Sequence, residues 1–133
     1  HTYTGNPTAA ALSLKNLELY EKYGLIKKIQ KTSKIFESRI NEISNLEMVG
    51  DIRHKGMVMG IELVNDKKSN KPISFSQSIN KVVFEEGRKN QIYFRTLGNI
   101  IMLVPPLAIS KKELNFLIDG TIKTIKSLSG IQS

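Results

Sequence analysis

Two stretches of this chain hold residues whose types and spacing could do chemistry. The first is His1-Thr2-Tyr3-Thr4-Gly5-Asn6-Pro7, which runs straight into the Ala-rich segment from Thr8 to Leu14. Asn6 is a natural N-cap, and Pro7 suits the first helical position, where a missing N–H costs nothing. A helix start with free N–H groups, preceded by two threonine hydroxyls, suits an anion such as phosphate. The same pattern also caps helices that bind nothing. The second stretch centres on Arg95, in a β-rich run. A planar guanidinium grips a carboxylate with two parallel hydrogen bonds, so it positions as well as attracts. Without context, a solvent-facing strand arginine is the simpler reading. Arg53 and Glu62 also invite a catalytic role, but charges at strand ends usually form ion pairs, and the structural reading is preferred.

The composition narrows the chemistry. The 133 residues suffice to bury a core without covalent staples. There is no cysteine, which excludes disulfides and thiolate metal sites, and two histidines, His1 and His54, are too few for a histidine-rich metal centre. No apolar run approaches the roughly 20 residues needed to span a bilayer, and no signal segment opens the chain, so a cytoplasmic protein without membrane contact is expected. The formal charge of +8 raises the question of nucleic acid. The lysines are scattered, however, at 27, 28, 31 and 34, at 67, 68 and 71, at 111 and 112, and at 123 and 126, with no aromatic-interleaved groove among them. Solvated helix faces explain them better, and no nucleic-acid partner is expected.

The elements that must position these residues follow from periodicity. Ala10, Leu14 and Leu17 recur at helical spacing between Pro7 and about Tyr23, opposite Lys15, Glu18 and Glu21, which predicts an amphipathic helix. Gly24 interrupts it. A second helix follows to about Asn45, with Leu25, Ile29, Phe36, Ile40 and Ile43 as its stripe. Such a charged helix could bind a partner or a membrane surface, but packing on a sheet is the commoner use. Leu46 to Gly56 and Met57 to Val64 read as two strands, the second largely buried, and Asn65 to Ser74 as a surface loop. A third helix is expected from Ser76 to about Asn90, weakened at Gly87. Ile92 to Leu97 and Ile100 to Val104 flank Gly98-Asn99 as a hairpin, and Pro105-Pro106 ends it. Ser110-x-x-Glu113 is a capping box for a last helix whose stripe is Leu114, Leu117, Ile118, Thr121, Ile125 and Leu128, with a frayed tail from Gly130.

Three ordered blocks resemble the class III (subgroup II) pyridoxal-phosphate aminotransferases. His1 to Ala11 is similar to the family's T-Y/F-x-G-N/H-P-x-x-x-A loop. Val49 to Val64 (V-G-D-I-R-x-x-G-M-x-x-G-I-E-L) is similar to the segment that opens the family's small domain. Phe94 to Ile109 (F-R-T-L-G-N-I-I-M-L-V-P-P-L-A-I) resembles the biotin-pathway branch, with Thr96 in the place where proline is frequent, a departure expected to loosen the turn.

The resemblance implies an α/β (α+β) small domain: a three- to four-stranded, mainly antiparallel sheet covered by helices, the C-terminal domain of a fold-type I enzyme. Residues 1–24 would form the cofactor-phosphate loop and crossover helix, and residues 25–133 the small domain. It further implies a pyridoxal 5'-phosphate transaminase acting on 8-amino-7-oxononanoate. Thr2, with His1 beside it, would hold the cofactor phosphate across a homodimer interface, and Arg95 would bind the substrate carboxylate. In the family the Schiff-base lysine lies upstream of the opening loop, and no lysine here matches its motif. A chain that begins with His inside a functional loop is therefore expected to be the C-terminal portion of a longer enzyme, joined to its own N-terminal large domain and inactive alone. The alternatives are another class III ω-amino-acid aminotransferase, or a binding module that shares the fold without the catalysis.

Overall fold

The computed structural model of the chain describes residues 4–69, 71–73 and 79–129. Helix α1 (Pro7–Lys22) starts as the sequence dictates: Asn6 Oδ1 accepts a hydrogen bond of 3.1 Å from the Ala9 N–H, and Pro7 opens the first turn. Gly24, at φ 54°, separates α1 from α2 (Leu25–Ser44), a left-handed backbone that costs glycine nothing. Strands β1 (Val49–Lys55) and β2 (Val58–Asp66) form an antiparallel hairpin. A two-residue strand β3 (Lys71–Pro72), inside the stretch read as loop, pairs with the far end of β2. Then come α3 (Ile79–Lys89), β4 (Arg95–Leu97), β5 (Ile100–Leu103) and α4 (Lys111–Ser129). The expected start of α3 at Ser76 and the tail from Gly130 lie outside the described residues.

The described strands run β1-β2-β5-β4, and every neighbouring pair is antiparallel. Strand residues alternate between faces, so one face can be wholly apolar. Met59, Ile61 and Leu63 of β2, with Ile101 and Leu103 of β5, take that face and are at most 2 % exposed. Phe36 and Ile43 of α2, Val83 of α3, and Leu114, Ile118 and Ile125 of α4 join them in one core. Burying each such side chain contributes about 1.5–3 kcal/mol, which is what holds the helices to one side of the sheet. This is the antiparallel α/β arrangement that the sequence predicts. No helix among the described residues is long and apolar enough to cross a membrane.

Two expectations need correction. The Ala10, Leu14 and Leu17 stripe exists, but no residue of α1 is buried, and Leu14 and Leu17 stay 65 % and 62 % exposed. Nothing in the described residues covers it. Gly87, expected to weaken α3, is also a packing requirement: a Cβ there would lie 2.8 Å from Phe94 Cε2 and 2.9 Å from the Ile92 carbonyl oxygen. Thr96, meanwhile, pairs with Ile101 in an unbroken ladder, and Asn99 ties the turn to β2 through bonds of 2.9 Å and 2.8 Å with Leu63. The loosening expected at Thr96 is absent.

Candidate functional site

Arg95 opens β4 and pairs with Met102 of β5; Met102 pairs with Gly60 of β2, and Gly60 with Arg53 of β1. These four residues make one row across the sheet. Paired residues in antiparallel strands share a face, and this row lies on the face turned away from the helices. Its two guanidiniums differ sharply in their surroundings. Arg53 is exposed but ion-paired, with Nη2 2.5 Å from Glu62 Oε2 and Nε 3.0 Å from Asp51 Oδ2. The structural reading of Arg53 and Glu62 therefore holds. Arg95 has no side-chain hydrogen bond or ion pair among the described residues, so its charge is left uncompensated.

Arg95 borders an open cleft of about 450 Å3. Tyr93, Val104 and Phe116 stand around it, 80 %, 63 % and 50 % exposed. Exposed large side chains thus stand next to an unpaired guanidinium, a combination that could take a ligand with an apolar body and a carboxylate end.

The local backbone is fixed by what precedes it. Helix α3 closes with the two bonds of a Schellman motif, in which the Gln91 N–H donates to the Arg88 carbonyl at 3.0 Å and the Ile92 N–H to the Gly87 carbonyl at 2.9 Å. Asn90 Nδ2 then bridges the Glu86 carbonyl at 3.0 Å and Thr124 Oγ1 of α4 at 3.1 Å. Ile92 and Phe94 turn inward, 7 % and 5 % exposed, onto Gly120 and Gly87 respectively, so Tyr93 and Arg95 point outward by alternation. Phe84 meets the Tyr93 ring edge-on at 5.1 Å. Residues Ile92 to Phe94, read as strand from their composition, are thus a packed connector, and β4 begins only at Arg95.

The start of α1 forms a separate cleft lined by Gly5, Asn6, Ala9 and Ser13. Its first-turn donors are partly spent on the protein itself. Pro7 has no N–H, the Ala9 N–H goes to Asn6 Oδ1, and the Ala10 N–H goes to the Asn6 carbonyl, each at 3.1 Å. A phosphate bound here would need hydroxyl donors more than the free N–H groups that the sequence suggests. Thr2 and His1, the residues proposed for that task, lie outside the described residues. His54 belongs to the fold: its Nε2 is 2.8 Å from the Gly56 carbonyl oxygen, and its ring meets Phe36 edge-on at 5.5 Å. Sequence reasoning found Arg95 but not the cleft. Gln91, Tyr93 and Phe116 carry no motif, and only the fold brings them together.

The chain matches the family model described as aminotransferase class-III over residues 1–125. It is 37 % identical over 130 residues to the adenosylmethionine-8-amino-7-oxononanoate aminotransferase of Geobacter sulfurreducens, covering 98 % of this chain and 29 % of that protein. Against the enzyme of the same name from Methanocaldococcus jannaschii it is 40 % identical over 126 residues, 95 % of this chain and 27 % of the relative. The crystal structure of the Methanocaldococcus jannaschii protein superposes with a TM-score of 0.88 over 96 % of this chain and 29 % of that one. A thermostable omega transaminase variant, 21 % identical and covering 100 % of this chain and 30 % of that one, reaches the same TM-score of 0.88, which shows the shared fold. This chain spans less than a third of the length of these relatives. Over that span the three sequence blocks and the antiparallel sheet agree with the family match, and the chain belongs to the class-III aminotransferases.

Proposed function

We propose that this chain is the C-terminal part of a pyridoxal 5'-phosphate transaminase that aminates 8-amino-7-oxononanoate in biotin biosynthesis. The observation that carries this reading is the unpaired guanidinium of Arg95 at the edge of an apolar cleft. A medium-chain oxo acid presents a carboxylate for the arginine and a run of methylenes for Tyr93, Val104 and Phe116. The names of the Geobacter and Methanocaldococcus relatives support the same substrate.

Bound pyridoxal phosphate would supply the electron sink and the carbonyl chemistry of amino transfer. The residues of this chain would do the rest of the binding. Thr2, with His1 beside it, would donate hydroxyl and ring hydrogen bonds to the cofactor phosphate of the neighbouring subunit of a homodimer. Arg95 would fix the substrate by its far end, so that the reacting carbon is held by geometry rather than by affinity alone. The proton-transferring lysine would come from the large domain, since none of the lysines here sits in its motif. The chain alone is accordingly expected to have no transaminase activity.

The bare leucine stripe of α1 supports a division at residue 24, with residues 1–24 packed against the large domain and residues 25–133 forming the small one. A cytoplasmic location is part of the same proposal. One observation keeps a second reading in view. A rice protein named probable gamma-aminobutyrate transaminase 3 is 31 % identical over 88 % of this chain and 23 % of its own length, and an ω-amino acid would also offer a carboxylate to Arg95. Assaying the full-length transaminase with 8-amino-7-oxononanoate and with short ω-amino acids decides between them. Preference for the long oxo acid upholds the biotin assignment, and preference for the short substrates transfers the enzyme to the second class.

A further inference from the structure

Gln91 is the one residue other than glycine with a positive φ among the described residues, at 61°. It stands at the position just past the C-cap of α3, where a Schellman closure demands a left-handed backbone and glycine is the residue that adopts it freely. A glutamine here strains the backbone. Its backbone N–H serves the cap, as any residue's would, but its side-chain amide makes no hydrogen bond among the described residues. Gln91 is an exposed residue and lines the same cleft as Arg95, Tyr93 and Phe116. The strain therefore maintains a side chain that the fold does not use, in the wall of the cleft that Arg95 borders. Backbone strain at such a place is an observation from which function can be argued.

We infer that Gln91 is a specificity residue of the Arg95 cleft, donating from its Nε2 amide to the ligand carboxylate that Arg95 holds; the inference rests on the carboxylate reading of that cleft. The chemistry is complementary. A carboxylate has about four acceptor positions, and a bidentate guanidinium occupies two of them. The remaining pair faces away from the arginine and needs a donor that is neutral, because a second cation would be repelled by Arg95. An amide meets that requirement at every pH.

The test uses the full-length transaminase loaded with its cofactor and compares the wild type with Gln91→Gly, Gln91→Asn and Arg95→Ala. Thermal melting and the KM for 8-amino-7-oxononanoate are measured for each. Gln91→Gly releases the left-handed strain, so it should melt about 2–4 °C higher. It also deletes the amide, and its KM should rise about fivefold to tenfold, the loss of one hydrogen bond to a charged group at an open site. A stabilised protein that binds its substrate less well is an outcome a purely structural cap cannot give. Gln91→Asn retains an amide on a shorter stem and tolerates the same φ, so it should recover part of the lost KM. If Gln91→Gly stabilises the protein with KM unchanged while Arg95→Ala raises KM, Gln91 is a cap and nothing more. If Arg95→Ala itself leaves KM unchanged, the carboxylate reading of the cleft fails and takes this inference with it.

Discussion

The side chain of Ile92 occupies the space directly over Gly120 where any other residue would carry its Cβ. A Cβ built there overlaps Ile92 Cδ1 outright and comes within 3.2 Å of Cγ1. Because Ile92 precedes the segment that carries Tyr93 and Arg95, this seat sets the height at which the cleft wall stands. Gly120→Ala should destabilise the protein by about 1–3 kcal/mol, the cost of overpacking a filled core. Adding Ile92→Val removes the clashing Cδ1 and should return part of the loss, which urea unfolding of the single and double variants would measure.

Arg95 should matter to substrate and not to stability. Its side chain makes no bond within the described residues, so Arg95→Ala should leave the melting temperature within about a degree of wild type. In the full-length transaminase the same change should lower kcat/KM for the oxo acid about 10- to 100-fold, as expected for losing a charge-assisted pair. Arg95→Lys keeps the charge and loses the fork, so it should recover only part of that.

The opposite end of the same row predicts a different pattern. Arg53 and Glu62 lie 2.5 Å apart, with side chains 65 % and 32 % exposed. Exposed pairs of this kind are worth less than about 1 kcal/mol, so Glu62→Gln should shift stability slightly, and less in high salt.

Between them, Gly60 has room to spare within this chain. A Cβ there would meet Ile100 Cγ2 at 3.5 Å and Met102 Sδ at 3.7 Å, ordinary contact distances. Gly60→Ala should therefore not destabilise the small domain. If the cofactor domain approaches this face closely, as its glycine suggests, the substitution should reduce cofactor retention in the full-length transaminase, read from the absorbance that remains after gel filtration.

The capping box gives a pH-dependent prediction. The Ser110 N–H donates to Glu113 Oε2 at 2.9 Å, and the Glu113 N–H donates to Ser110 Oγ at 3.2 Å. Hydrogen bonding from Ser110, side chain first and backbone second, holds the Glu113 carboxyl below its ordinary value of 4.5. A carboxyl depressed by folding contributes stability that is complete above that ordinary value and is lost as pH falls through the lower, folded one. The stability difference between wild type and Glu113→Gln should thus be constant near neutrality and shrink below about pH 4.5. Ser110→Ala should cost about 1 kcal/mol, the usual loss of an N-cap.

How much of this was legible in the residues depends on whether the signal was local. The N-cap at Asn6 and the capping box at Ser110 rest on contacts within one helical turn, the stripe of α4 on a repeat along a single helix, and all three stand in the structure. The β1–β2 hairpin was legible because an almost wholly apolar run such as Met57 to Val64 has few other places to go. Ile92 to Phe94 misled because their β-rich composition was overridden by two glycines that offer them seats, Gly87 on the preceding helix and the distant Gly120 on α4. Strand β3 is too short to leave a pattern, and the cleft is assembled from residues 91–95, 104 and 116, which no spacing rule connects.

The uncovered α1 has a consequence for the life of the protein in a cell. Leu14 and Leu17 are each more than 60 % exposed, on one face of a helix with no buried residue. Such a stripe is what chaperones grasp and what quality-control proteases engage in chains that lack their partners. If α1 packs against a large domain as proposed, a copy that fails to assemble would advertise the fact through these two leucines, and α1 would act as a built-in tally of incomplete molecules.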